Sequence, residues 1–461
     1  MAADIFRITL AQLNPTVGDI AGNAAKAREA RARAAADGAD LVVLPELFLA
    51  GHPCQDLVLK PAFQAACRAA IEALARETAD GGPAVLIGTP WIDDGKLYNA
   101  CVLLDTGRIA ATRFKANLAD GDQKRVFMRG PAAGPLSVRG VRIGVAIGED
   151  ISPEESSNDE NVIETLAETG AELIVVPSRS CYLRSGGDRR LSAAVARVTE
   201  SDLPLVWLNQ VGGQDGKVFD GASFALNADL SVAAQLPGFA AEVTTLAWSR
   251  GDGWQCRGPV TTPSEGDEAD YAARVLGLRD HVEKHGFTGI VLALTGGIES
   301  ALSLAMAVDA LGAARVRGVV LSGPDMPQES PAIAVAARFG VTAETLPIAP
   351  AVAGFETVLP GPLAGDARHA LRARVRGSLL LALASLSGAL AVVPRKTSDR
   401  HGCEIGDATG GATLVDGVSQ AEIVRLAALR NRWKPANALG PSGEFMSPDL
   451  AGRASSDAFE G

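Results

Sequence analysis

Two places along this 461-residue chain carry side chains whose type and order could do chemistry. The first is Thr295-Gly296-Gly297-Ile298-Glu299-Ser300, which follows an apolar run at 289–294 and leads into a helical pattern opening with Ala301-Leu302. Two glycines let backbone N–H groups approach an anion, hydroxyls at both ends add donors, and a helix N-terminus adds its positive dipole end. The loop is a phosphate cradle by construction; a tight turn without a ligand is the plain alternative. The second is Glu46, which ends the hydrophobic run Leu41-Val42-Val43-Leu44-Pro45, where α/β proteins place active groups. Taken alone, Glu46 reads as a solvated or capping residue.

Such groups need strands that run into loops, and the pattern supplies them. Apolar runs at 6–10, 41–44, 84–88, 100–104, 142–147, 173–176, 205–208 and 223–227 read as strands, with helical stretches at 23–36, 62–77, 160–169 and 191–200 among them. Buried strands alternating with amphipathic helices predict a layered α/β domain over 1–250. The stretch 251–268, rich in Gly, Pro, Ser, Thr and acidic residues, reads as a linker. A second α/β domain is expected over 269–440. It has a helix at 269–285, a strand at 289–294, the glycine loop with a helix to 311, a strand at 316–321, helices at 332–339 and 368–386, and a strand at 389–393. Residues 441–461 are polar and small and read as a frayed tail.

The length exceeds what one hydrophobic core serves, and 47% hydrophobic with 21% charged residues is the makeup of an ordinary globular protein. A net charge of −11 argues against nucleic acid as a partner, since phosphate-backbone binding needs clustered Lys and Arg. The six cysteines, at 54, 67, 101, 181, 256 and 403, form no C-x-x-C pair and histidine is scarce, so neither a zinc site nor a disulfide framework is written here. A reducing cytoplasm fits best. No apolar run approaches the ~20 residues that span a bilayer, so the expected protein is soluble, with no membrane partner.

The glycine loop resembles the S-G-G-x-D-S pyrophosphate loop of the adenylating amide ligases, and its surroundings resemble the glutamine-dependent NAD synthetase family. Arg372-Ala373-Arg374-Val375-Arg376-Gly377 is similar to that family's Q-A-R-I-R-G helix, and Lys396 stands where its N-K-S-E lysine would. Gly406-Asp407 with Gly410-Gly411 and Asp416 is similar to its G-D...G-G...D segment, and Pro441-Ser442-Gly443-Glu444 to its P-S-A-E-L motif. The resemblance implies a doubly wound parallel sheet of the adenine-nucleotide alpha-hydrolase (PP-loop) type. It implies ATP held by Thr295, Gly296, Gly297, Glu299, Ser300, Arg374 and Lys396, with Asp407 on the substrate. Mg²⁺ is expected on Glu299, one methylene longer than the family's Asp. The implied reaction adenylates the carboxylate of nicotinic acid adenine dinucleotide, releases pyrophosphate, and lets ammonia attack the acyl-adenylate. The chain departs from the pattern at Arg372, Ala370 and Gln420, and at Pro394-Arg395-Lys396-Thr397-Ser398-Asp399, where a second metal carboxylate is missing or moved to Asp399. The family's C-terminal helical region is not found beyond 450, so this domain is expected to be truncated.

Pro45-Glu46-Leu47-Phe48-Leu49-Ala50-Gly51-His52-Pro53 resembles the P-E-L-F-L-x-G-Y-P segment of the nitrilase-type glutaminase domain fused to NAD synthetases. Tyr98-Asn99-Ala100, Gly107-Arg108-Ile109, Lys115 and Leu118 match the next section in order. The first half is therefore expected to be a nitrilase-like αββα sandwich. In that glutaminase a glutamate takes the thiol proton, the cysteine attacks the amide and a lysine stabilises the oxyanion. The resemblance gives Glu46 and Lys115 the first and last of these roles. The nucleophile belongs to a C-E-D-I sequence that here reads Gly148-Glu149-Asp150-Ile151, and glycine has no nucleophile. Cys181, after the next strand, is the one cysteine worth testing as a substitute, and Gln123 stands for an auxiliary glutamate. Without its cysteine, Lys115 beside Glu46 persists as a structural ion pair.

Three readings stay open. The chain is an NAD synthetase fed by free ammonia, a non-catalytic relative that binds nucleotide or a partner, or an amide ligase for a different acid, which would account for Arg372 and Ala370. The resemblance also implies a homo-oligomer, since the family assembles from several subunits.

Overall fold

The computed structural model describes residues 4–118, 121–151, 160–323, 331–361, 363, 365–394, 406–408 and 411–446. Two compact units divide the chain, with the boundary after Ser264.

The first unit is built on two sheets. Seven strands form one, ordered Trp254–Cys256, Glu242–Arg250, Ile5–Gln12, Leu41–Val43, Ala84–Asp93, Lys96–Asp105, Arg108–Phe114. Six form the other, ordered Val232–Gln235, Phe224–Leu226, Leu205–Asn209, Leu173–Ser178, Val141–Val145, Leu136–Val138. Successive strand residues point to opposite faces, and here both faces are dry. Leu41 and Val43 join Phe6, Ile8, Ile143, Val175 and Leu208 in the layer between the sheets. Val42, Leu44, Val85 and Ile87 face outward against the helices Ile20–Ala36 and Pro61–Glu77. On the far side Ile174, Val176, Leu205 and Trp207 pack under Val162–Glu168 and Gly186–Ser201. This is the expected αββα sandwich.

The first part of the stretch read as a linker is sheet. Around the turn Gly251-Asp252-Gly253 the chain doubles back, and Trp254 and Cys256 are buried beside Trp248 on a strand antiparallel to Glu242–Arg250. Gly, Asp and Ser composition marked the turn, and the two buried side chains after it make the edge strand.

In the second unit the sheet order is Ala343–Pro347, Val316–Ser322, Ile290–Ala293, Leu390–Val392, Gly411–Thr413, Gly406–Ala408. All neighbours are parallel except the last pair. Ile290, Leu292 and Val320 pack under Gly266–Lys284, Ile298–Leu311 and Gln420–Arg430, while Val291, Ala293, Val319 and Leu321 pack under Ala349–Val358 and Gly365–Ser387. Helices on both faces make the sheet doubly wound. From Ile290–Ala293 the chain proceeds outward on one side, then returns to place Leu390–Val392 on the other. The reversal puts a topological switch point beside the glycine loop, where ligands of open α/β sheets sit.

Residues 441–446 are not frayed. Phe445 stacks on Phe339 with ring centroids 4.4 Å apart, and both residues after Glu444 bond Asn431, whose Oδ1 accepts from the Phe445 and Met446 N–H groups. Phe445 and Met446 join the core beneath Gln420–Arg430. Two apolar residues in a polar stretch are enough to hold it down.

Candidate functional site

In the first unit, Glu46 follows the strand Leu41–Val43 in a tight turn whose next residue, Leu47, has φ 52°. Such backbone in a non-glycine residue is costly and concentrates at functional sites. The turn lies flat on the neighbouring strand because residue 88 is glycine: a Cβ there would stand 2.3 Å from the Pro45 carbonyl oxygen and 2.4 Å from the Leu47 nitrogen. Lys115 follows Arg108–Phe114, and its Nζ lies 2.7 Å from Glu46 Oε1. Asn99 Nδ2 donates to the same oxygen at 2.6 Å. Glu46 and Lys115 are both 0% exposed.

The short helical turn Gly148–Ile151 closes this chamber. Gly148 has φ +53°, and a Cβ at that position would fall 2.4 Å from Glu46 Oε2 and 2.9 Å from Lys115 Nζ. The position the resemblance gives to a nucleophile thus abuts both its expected partners, and the two side chains occupy the space a side chain at 148 would need. Asp150 fixes the turn. Its Oδ1 accepts from the Ala116 and Asn117 N–H groups at 3.0 and 2.7 Å, and its Oδ2 from Ile147 at 3.0 Å. Burial pushes the Asp150 carboxyl up to about 7, against the pull of Lys115 and of these donors.

Two further charges complete the chamber. Glu149 pairs with Lys115, and Arg179, one residue past the strand Leu173–Ser178, sets its Nε 3.2 Å from Glu46 Oε1 and its Nη2 3.7 Å from Glu149 Oε1. Burial works against the Glu149 carboxylate, but Lys115 and Arg179 outweigh it and bring its pKa down to about 2. Burial likewise works against the Lys115 ammonium, and Glu149 and Glu46 hold its pKa above the ordinary range. Glu149 and the two cations Lys115 and Arg179 therefore remain ionised together at neutral pH. The Cys54 thiol feels Arg179 and Glu46, yet burial pushes it up to about 12, which leaves it protonated and unreactive at neutral pH. Cys181 stands two residues past Arg179, half-buried and bridged to Phe219. Gln123 is buried.

In the second unit, Gly296 takes φ +85°, a conformation open to glycine, and the helix Ile298–Leu311 starts immediately after Gly297 without a side-chain cap. Its first N–H groups are thus available to an anion. Ser300 Oγ donates to the Gly297 carbonyl at 2.9 Å, the Thr295 hydroxyl oxygen is buried with no hydrogen-bond partner among the described residues, and Glu299 is 1% exposed. The loop borders a narrow hollow walled by Leu294, Ala301, Leu304, Ala332 and Val335. Arg374 is exposed and donates to the Ala370 carbonyl in its own helix, whereas Arg376, two residues on, is buried and donates to the Leu321 carbonyl at the carboxyl end of Val316–Ser322. Asp407 lies in the strand Gly406–Ala408; Lys396, Asp399 and Gly410 lie outside the described residues. The described residues hold no group of three His, Cys, Asp or Glu side chains able to bind a metal.

The structure thus brings Glu46, Lys115 and Gly148 together, and Thr295 to Ser300 into one loop. Arg179 and Arg376 escaped the sequence reading. Arg179 had a signal, as a charged residue directly after the buried, mostly apolar strand Leu173–Ser178 at the sheet's carboxyl edge. Arg376 lay in a quoted motif, one helical face away from Arg374.

Two family models match the chain: carbon-nitrogen hydrolase over residues 7–257 and NAD synthase over 270–438. A glutamine-dependent NAD(+) synthetase of Rhodobacter capsulatus is 41% identical over 457 residues, covering 96% of this chain and 82% of that protein. One from Xanthomonas campestris is 34% identical over 467 residues, covering 96% and 82%. Among solved structures, a glutamine-dependent NAD+ synthetase from Acinetobacter baumannii in complex with adenosine diphosphate superposes with a TM-score of 0.86 at 29% identity, over 98% of this chain and 85% of that one. No helix of the described residues is long and apolar enough to cross a membrane.

Proposed function

Because the chain belongs to the glutamine-dependent NAD(+) synthetase family, we propose that it amidates nicotinic acid adenine dinucleotide to NAD at the expense of ATP, and that free ammonia is its nitrogen source. The observation that carries the second clause is Gly148. A Cβ there would meet both Glu46 Oε2 and Lys115 Nζ, so the position beside this acid–base pair that the family gives to the nucleophile holds no side chain. Glu46 and Lys115 could then at most polarise an amide, with no nucleophile at 148 to attack it.

The glycine loop fits a triphosphate: Gly296 and the uncapped helix start present N–H groups, and the Thr295 hydroxyl is a buried donor awaiting an acceptor. Thr295, Gly296, Gly297 and Ser300 would hold the phosphates, with Arg374 and Lys396 as further cations and Asp407 on the dinucleotide. Glu299 alone does not make a cation site, so Mg²⁺ would be shared between its carboxylate and the phosphate oxygens, neutralising charge as pyrophosphate leaves.

The test supplies ATP, Mg²⁺ and nicotinic acid adenine dinucleotide with either ammonium or glutamine and follows NAD, AMP and pyrophosphate. NAD from ammonium alone supports the proposal; equal yield from glutamine overturns its second clause. A relative that binds nucleotide without turnover is the second reading. It is favoured by Arg374, which is exposed and bonded to its own helix. ATP binding without AMP release would select it.

A further inference from the structure

We propose that Arg179 is a second determinant of the nitrogen source, shutting a primary amide out of the Glu46–Lys115 chamber independently of the missing thiol. The inference rests on the reading of this chamber as a former amidase site. Exposure rises outward through the cluster: the Glu46 and Lys115 side chains are 0% exposed, Arg179 11% and Glu149 42%. The Arg179–Glu149 pair therefore lies between the inner pair and solvent. The guanidinium is held from three sides, with Nε facing Glu46, Nη2 facing Glu149 and Nη1 3.0 Å from His52 Nε2.

Its placement is specified by the backbone behind it. Asn209 accepts from the Ser180 N–H at 2.7 Å and donates to the Ser180 carbonyl at 3.1 Å. Asn209 also donates to Asp220, which Arg190 grips with both nitrogens at 2.9 and 2.5 Å. A polar chain of four residues, buried at Asn209, Asp220 and Arg190, thus aims Arg179 inward. An incoming amide would have to part the guanidinium from two carboxylates and leave buried charge uncompensated, a costly step in a low-dielectric interior.

The test uses the full chain carrying Gly148→Cys, alone and combined with Arg179→Ala or Arg179→Lys; the lysine variant keeps the charge while removing the fork, in case the alanine variant fails to fold. Iodoacetamide, itself a small primary amide, probes the introduced thiol, with the modified position located by peptide mass spectrometry. Loss of a nearby cation by electrostatics alone would raise the thiol pKa and slow alkylation. At least tenfold faster alkylation in the combined variants is expected, and it reports access. An equal or slower rate overturns the proposal, as does glutamine hydrolysis by Gly148→Cys alone at the rate of the combined variants. Accelerated alkylation without any glutamine hydrolysis leaves Arg179's closure standing and overturns instead the reading of the chamber as a former amidase.

Discussion

The helix that begins at the glycine loop is buried on every side, and its far end is fixed by a single charge. Asp309 accepts from Arg430 Nε and Nη2 at 2.6 and 2.8 Å and from the Tyr271 hydroxyl at 2.7 Å, which ties together three helices. The Arg430 and Asp309 side chains are 1% and 0% exposed, so solvent does not screen the pair. Burial keeps the Tyr271 hydroxyl protonated, as the donor its position requires. Asp309→Ala leaves the guanidinium buried without its counter-charge, beside the Pro441 carbonyl and the Phe339 and Phe445 rings, and breaking a buried pair from one side costs about 3–5 kcal/mol. For a unit of this size each kcal/mol lowers Tm by about 2–4 °C, so a fall of about 6–20 °C is expected for the second unit. Calorimetry of the full chain measures it. Asp309→Leu combined with Arg430→Met removes both charges and should recover most of the loss, because an apolar replacement of a buried pair is often neutral. A single-variant loss below about 1 kcal/mol, or a double variant no more stable than the single, would refute the argument that desolvation of Arg430 sets the cost.

Other consequences follow the same physics. Phe445→Ala removes the ring stacked on Phe339 and should destabilise the second unit by about 3 kcal/mol in urea titration; no change would mean that residues 441–446 are not docked in solution. Gly296→Ala places a Cβ at φ +85°, costing about 1–2 kcal/mol locally, and should weaken ATP binding in a calorimetric titration more than it lowers Tm. Glu149, brought from 4.5 down to about 2, stabilises the fold above its ordinary pKa and loses that contribution as pH falls through the window between the two values. The Tm gap between the native chain and Glu149→Gln should therefore be open at neutral pH and narrow as pH is lowered through that window. A gap independent of pH would show that Glu149 is not held by Lys115 and Arg179 as drawn.

Much of the fold was legible because its strands are apolar on both faces and its helices repeat at helical spacing; Leu41 to Val43 and Ile290 to Ala293 read correctly from type alone. What escaped was set by pairing at a distance. Trp254–Cys256 is too short to announce itself and is a strand only because Glu242–Arg250 lies beside it. Phe445 and Met446 sit among polar residues and find their core through Phe339 and Asn431. At the site, local motif order located Glu46, Lys115 and Gly148, which the structure brings within touching distance although they are far apart in sequence. Arg179 stood in a suggestive place after its strand, but its partner became visible only when the second sheet was laid against the first, since nothing near it in the chain names Glu46.

The turn at Gly148 to Ile151 owes its shape to Asp150, which holds the backbone at 116, 117 and 147 with no reference to what residue 148 carries. A frame of that kind would outlast a change of chemistry at residue 148. A glycine codon lies one base from a cysteine codon, so a lineage that lost only the thiol would keep an open road back. With Arg179 lying across the mouth, the first step of return yields a thiol beneath a closed door and brings no advantage for selection to act on. If ammonia is the nitrogen source as proposed, the hydrogen-bonded chain from Arg190 to Ser180 would act as a ratchet on the history of the protein, turning a reversible substitution into a lasting one.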